Sequence, residues 1–316
     1  MIRMLIAAAV LALAVPAAPA AEMTFYQLPE GAYPHDVAPA PDGTVWFTGQ
    51  RQGFMGRFDP KTGKLEKIPL GPGAAPHGVV VGPDGAAWVT EGGQNAIARV
   101  DAATKEVKLF PLPKEFARAN LNTATIDNSG IVWFTGQSGV YGRVDPKSGK
   151  VDAWASPKGR GPYGITTTPS GDIWYASLAG DHIAKIDTAT GAVTVVEPFK
   201  AGVGPRRIWS DSRGVLWVSF WQAGGIGRYD PGARTWLSYP MPRSKSGTYS
   251  VYVDDKDRVW ATDWIANAIQ RFDPKTETYA TFPSDKKNAN VRQMLGRPGE
   301  AWGGESGTDR LVVVRD

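Results

Sequence analysis

The stretch Ala75 to Arg99, APHGVVVGPDGAAWVTEGGQNAIAR, holds an apolar run, a Gly-Pro-Asp-Gly turn, a tryptophan in a second apolar run, and a third run behind Gln-Asn. Its landmarks recur along the chain. A tryptophan in an apolar run behind a turn stands at Trp46, Trp88, Trp133, Trp174, Trp217, Trp260 and Trp302, at intervals of 42, 45, 41, 43, 43 and 42 residues. That period is expected of a four-stranded propeller blade, whereas a helical solenoid would carry a 3.6-residue pattern. Seven markers predict seven blades.

Within one unit the order reads strand, turn, strand, loop, strand, turn, strand. In the second unit these are Gly78 to Val81, the turn Gly82 to Gly85, Ala87 to Thr90, Ala96 to Val100 and Val107 to Pro111. The equivalent turns, such as Pro41-Asp42-Gly43 and Pro169-Ser170-Gly171, are rich in turn-forming residues. The last unit stops after a third strand, Arg310 to Val314, and a lone strand, Thr24 to Leu28, precedes the first. Pairing the two would close the ring and leave no long unpaired edge. The expected fold is therefore all-β, a single seven-bladed propeller of four-stranded antiparallel blades over residues 21–316, completed by its N-terminal strand.

Charge and composition narrow the function. Thirty-five basic and 31 acidic side chains are interspersed, for a net charge of +4, which does not make a nucleic-acid surface. Cysteine is absent, which excludes disulfides, thiolate metal sites and a thiol nucleophile. Residues 1–20 read as a secretory signal, with Arg3, an apolar run from Met4 to Val15, and Ala18-Pro19-Ala20 as the cleavage site. That run is short for a bilayer, and no later stretch is a candidate span. A soluble, monomeric protein, periplasmic or secreted and beginning near Ala21, is expected.

Antiparallel strands place the start of the innermost strand and the end of the second strand at one end of the ring. The first set lies eleven residues before each marker: His35, His77, Asn122, Tyr163, Arg206, Tyr249 and Val291. The second lies three residues after it and includes Glu91, Phe220, Asp263 and Glu305, with Trp221 and Trp264 alongside. Two of only three histidines, His35 and His77, share one register in adjacent blades; a catalytic or metal role and a hydrogen-bonding role at the strand start both fit. His182 reads as a surface or loop residue. Glu91, Asp263 and Glu305 fall on the same arc and would hold a hard divalent ion, or else pair with Arg57, Arg207 or Arg292. Across the axis, Asn122, Gln137, Tyr163, Arg206, Arg207, Trp221, Tyr249 and Trp264 would receive a ring-bearing or anionic ligand, unless Phe220 and Trp221 plug the channel.

The segments PHGVVVGPDGAAWVTEGGQNAIARVD and GPYGITTTPSGDIWYASLAGDHIAKID resemble the streptogramin B lyases, also called virginiamycin B lyases. The shared pattern is a Pro-His/Tyr-Gly start, a Trp-Phe-Thr-Glu strand end and an Asn-x-Ile-Gly-Arg third strand. The resemblance implies a Mg²⁺-assisted elimination that opens a cyclic depsipeptide at its ester. It also implies a histidine base, with His35 and His77 in that register and Glu91 as the matching glutamate. Together with the residues of the arc and the facing wall, this gives the expected site: His77 as general base, His35 orienting substrate or metal, Glu91 with Glu305 and Asp263 as metal-side carboxylates, and Arg206 with Trp221 holding substrate in the funnel. Where the family has glutamate before Pro-His, this chain has Ala75. The expectation that follows is an exported lyase-like propeller acting on a small-molecule or cyclic peptide ligand. A metal-dependent lactone or ester hydrolase of the gluconolactonase type, and a non-catalytic periplasmic binding module, are the rivals.

Overall fold

The computed structural model describes residues 21–316; the segment read as a secretory signal, 1–20, lies outside the described residues. Seven four-stranded antiparallel sheets surround one axis. Their innermost strands are Pro34–Pro39, Pro76–Val81, Leu121–Ile126, Pro162–Thr167, Pro205–Ser210, Thr248–Val253 and Val291–Arg297. Each packs on the next, and the seventh packs on the first. The expected closure is present: Glu22–Gln27 pairs antiparallel with Arg310–Arg315, so the chain's first described strand is the outermost strand of the seventh blade.

The repeat's landmarks each have a structural cause. Five marker tryptophans, Trp46, Trp133, Trp217, Trp260 and Trp302, are essentially fully buried, filling the space between neighbouring sheets. Four of their indoles donate to an acid at the adjoining hairpin, as in Trp260 Nε1 to Asp254 Oδ2 at 2.8 Å. Gly85 adopts φ +76°, a conformation that costs a glycine nothing. The glycine of the Pro-His-Gly start answers to crowding, since a Cβ on Gly78 would lie 2.5 Å from the Asn122 carbonyl.

Every innermost strand carries a β-bulge near its start. In the first blade His35 and Asp36 together stand opposite Thr48, so two residues face one. The bulge strands a backbone N–H, and the threonine or serine of the second strand accepts it: Asp36 N–H to Thr48 Oγ1 at 3.0 Å, Gly78 to Thr90 at 2.7 Å, Arg207 to Ser219 at 3.0 Å. The same hydroxyl then donates across to the next blade, Thr48 to the His77 carbonyl at 2.7 Å and Thr90 to the Asn122 carbonyl at 2.6 Å. One side chain thus satisfies the bulge and pins two blades together. Among the described residues no helix is long and apolar enough to cross a membrane.

Candidate functional site

Because each bulge breaks strict alternation, two successive residues per blade reach the axis and form two layers. The first layer is His35, His77, Asn122, Tyr163, Arg206, Tyr249 and Arg292. The second includes Asp36, Thr123 and Arg207. Contacts between distant blades show this: Tyr163 and Tyr249 hydroxyls meet at 3.1 Å, and Arg207 reaches Asp36 at 3.2 Å. Arg292 takes the seventh place in the ring, not Val291. The hairpin of blade 7 is one residue shorter than the others, so Leu295 pairs with Trp302 where Ala38 pairs with Trp46. Counting eleven back from Trp302 therefore lands on Val291, the neighbour that pairs with Glu305.

The histidines lie side by side with ring centroids 4.0 Å apart, and both are buried. His35 Nδ1 is 2.8 Å from Asp36 Oδ1, and Arg292 Nη1 donates to His35 Nε2 at 3.0 Å. A guanidinium can only donate, so the proton of neutral His35 sits on Nδ1 and points to Asp36. His77 is fixed by a longer chain. Arg207 donates to Thr123 Oγ1, Thr123 donates to Asn122 Oδ1 at 2.9 Å, and Asn122 Nδ2 donates to His77 Nε2 at 3.2 Å. His77 Nδ1 is buried and has no partner.

Opposite the histidines, Arg206 is sandwiched by aromatic rings, 3.8 Å from the Tyr249 centroid and 4.5 Å from those of Tyr163 and Trp221. Trp264 stacks on Tyr249 at 4.6 Å and 5°. The two tryptophans, with Ile265 and Asn290, line an open groove of about 450 Å³ at the mouth. The expected ligand-facing residues Asn122, Tyr163, Arg206, Trp221, Tyr249 and Trp264 are thus gathered with His35 and His77 around one axis.

The three acids expected to hold a metal are not gathered there. Glu91, Asp263 and Glu305 pair in register with Pro76, Thr248 and Val291, one residue before the axis-facing position. Cross-strand partners share a face, so these carboxylates turn away from the axis toward the loops. Glu91 Oε1 accepts the N–H groups of Ala75 at 2.5 Å and Gly93 at 2.9 Å. Asp263 Oδ1 accepts the Ala266 N–H, and Glu305 binds Arg310 at 2.7 Å and Thr308 at 2.6 Å. Burial pushes the Glu91 carboxyl up, against the backbone donors that lower it. Phe220 has the same register and packs in the blade core against Trp236 instead of plugging the channel. Arg57 lies outside the funnel and pairs with Asp42 on the rim. His182, expected at the surface, is buried at the head of its strand, where its ring meets Tyr175 edge-on.

Among the described residues one set of acid and imidazole donors comes close enough to share an ion: His35, Asp36 and His77, within 4.8 Å of one another. This set does not fit Mg²⁺. A hard cation wants several oxygen ligands, and the single carboxylate is already held by His35 and by Arg207. Arg292, which donates to His35, adds a further positive charge beside the set.

Burial, together with Arg292, Arg207 and Arg206, holds His35 well below the usual histidine range. Burial and His35 do the same for His77, against the opposing pull of Asp36. Both imidazoles are neutral at neutral pH. The unfolded chain takes up these protons first as pH falls below about 6.5. The stability they contribute is complete above that value and is lost progressively below it. Denaturant midpoints measured from pH 7.5 down to 5 should therefore fall, and replacing both residues by asparagine should flatten the slope to what remains of His182, whose pKa burial also lowers, and of Glu91, whose raised pKa acts in the opposite sense.

Comparison with family models decides the wider relationship: the model of the virginiamycin B lyase family matches residues 16–147 and 72–316. The chain belongs to that family. Virginiamycin B lyase from Staphylococcus aureus superposes with a TM-score of 0.86 at 20% identity, covering 94% of this chain and 99% of that one. A streptogramin B lyase structure gives 0.85 at 21% identity, over 93% and 97% of the two chains. Kuenenia stuttgartiensis hydrazine synthase gives 0.74 at 13% identity, covering 90% and 96%, a likeness of fold. Comparison with curated protein sequences finds no match.

Proposed function

We propose that this member of the virginiamycin B lyase family is an eliminative carbon–oxygen lyase that opens an ester in a ring-bearing substrate seated at the funnel mouth. The observation that carries the reading is His77 Nδ1, the one ring nitrogen of the central pair left without a partner in a water-poor site. Rotating the Asn122 amide end for end puts the His77 proton on Nε2, facing Asn122 Oδ1. Thr123 Oγ1, with two lone pairs, then accepts from both Asn122 and Arg207. Nδ1 becomes a free base within the same network.

In the reaction His77 Nδ1 takes the proton from the carbon next to the ester-bearing carbon. The C–H pair becomes a carbon–carbon double bond, the C–O bond breaks, and the carboxylate leaves with its electron pair. No water is consumed. His35, held by Asp36, keeps Arg292 at the mouth. Arg292 and Arg206 face the negative charge that develops, in place of a metal. Export through residues 1–20 and a monomeric state complete the proposal.

The test is product analysis after incubation with a streptogramin B antibiotic, with and without EDTA. A linear product of unchanged mass, formed equally in EDTA, is the expected result. A gain of one water would indicate hydrolysis, and no turnover would reject the reading.

A further inference from the structure

We infer that the funnel mouth is an oxyanion-binding site in which Arg206 and Arg292 are the receiving pair, for a substrate that carries an anionic group beside an apolar or aromatic body. The inference deepens the lyase reading by naming the substrate class, and its test does not depend on turnover.

Three guanidiniums surround the axis and one carboxylate answers them. Asp36 pairs with Arg207, with both side chains about 1% exposed. Among the described residues Arg206 and Arg292 have no acidic partner. Arg206 donates to the Tyr163 hydroxyl at 2.7 Å and is otherwise faced by aromatic rings, and its Nε is buried without an acceptor. Arg292 spends its donors on neutral groups: His35 Nε2, the hydroxyls of Tyr249 and Tyr33, and Ser306 Oγ. The lining closest to the axis therefore carries two uncompensated positive charges, three cations less one anion. Partly desolvated charges without a counter-charge are costly, and proteins keep them where a ligand supplies the missing partner.

The surroundings say what else the ligand carries. Trp221 and Trp264 flank the arginines, and Ile265, 67% exposed, continues the apolar wall outward. Burial would raise the Tyr249 phenol, but Arg206, Arg207 and Arg292 outweigh it and lower its pKa. Carboxylates and phosphates share the chemistry that guanidiniums recognise, and the stacked walls favour a ring attached to it.

The experiment is calorimetric titration of the purified full-length protein, in EDTA, with benzoate, with inorganic phosphate and with the uncharged isostere benzamide, followed in parallel by tryptophan fluorescence. Benzoate should bind and quench fluorescence, and benzamide should not. Phosphate binding alone would assign the site to phosphate-bearing ligands, within the same proposal. Arg206→Gln and Arg292→Gln should each weaken benzoate at least tenfold, with Arg206→Lys intermediate and circular dichroism unchanged. Binding of neither anion, equal binding of benzamide, or retention of affinity in both folded glutamine variants would overturn the inference. Anion binding without turnover of any ester would leave it standing and reject the lyase reading.

Discussion

His77→Ala is expected to lower turnover by about 10² to 10⁴-fold, the range that a positioned proton acceptor contributes, while leaving the fold intact. The side chain is buried, but its contact with Asn122 is a single bond at 3.2 Å, and its backbone carbonyl, which Thr48 grips, stays in place. The loss should fall on kcat more than on KM, because the imidazole acts on the transition state and the aromatic and arginine wall still binds substrate. Asn122→Asp offers a finer reading. A carboxylate at that position can only accept, so it holds the His77 proton on Nε2 and keeps Nδ1 as the base. Asn122→Asp should retain activity that Asn122→Leu loses. A His77→Ala protein with full activity would remove His77 from the reaction.

The largest effect on stability is expected at the ion pair beneath the histidines. Asp36 and Arg207 belong to blades 1 and 5 and meet at 3.2 Å across the axis, both excluded from water. Asp36→Ala leaves a guanidinium buried without a counter-charge, which costs about 3–5 kcal/mol, and the thermal midpoint should fall by roughly 5–8 °C. Adding Arg207→Met should restore a good part of the loss, since the charge left stranded has then been removed as well. Calorimetry of the two single variants and the double variant completes the cycle. Additive losses would mean that the pair is not coupled. Asp36 also accepts from His35, so the single variant should disturb the activity while the double variant repairs stability alone.

The frame of this molecule was legible from spacing, because a blade needs its tryptophan, turn and strand lengths wherever it stands in the ring. The closure was legible too, since the last unit lacked a strand and the first had one to spare. Individual side chains were harder to place, for local reasons. The bulge sends both His35 and Asp36 inward, so Asp36 and Thr123 entered the site from positions that simple alternation assigns to the other face, whereas Arg207, read as funnel lining beside Arg206, is where it was expected. A single missing residue in the blade 7 hairpin shifted the ring position from Val291 to Arg292. The signal for both was present as Pro-His-Asp and Pro-Arg-Arg at two strand starts and as the short Pro298-Gly299 turn. Glu91, Asp263 and Glu305 were at the right end of the strand, but one step out of phase, and their carboxylates went to backbone amides and to Arg310.

The seventh sheet draws its outermost strand from one end of the polypeptide and the other three from the opposite end, with Glu22 beside Arg315. Glu22 and Arg315 are already neighbours, so joining residue 21 to residue 316 with a brief linker and reopening the chain at the exposed connection between the first two blades, Gly71-Pro72-Gly73, would give a circular permutant with every sheet formed from contiguous sequence. Such a rearranged chain would no longer need to wait for its last residues before its first could find a partner. Refolding rates of the two connectivities would measure how far that long-range seam limits assembly.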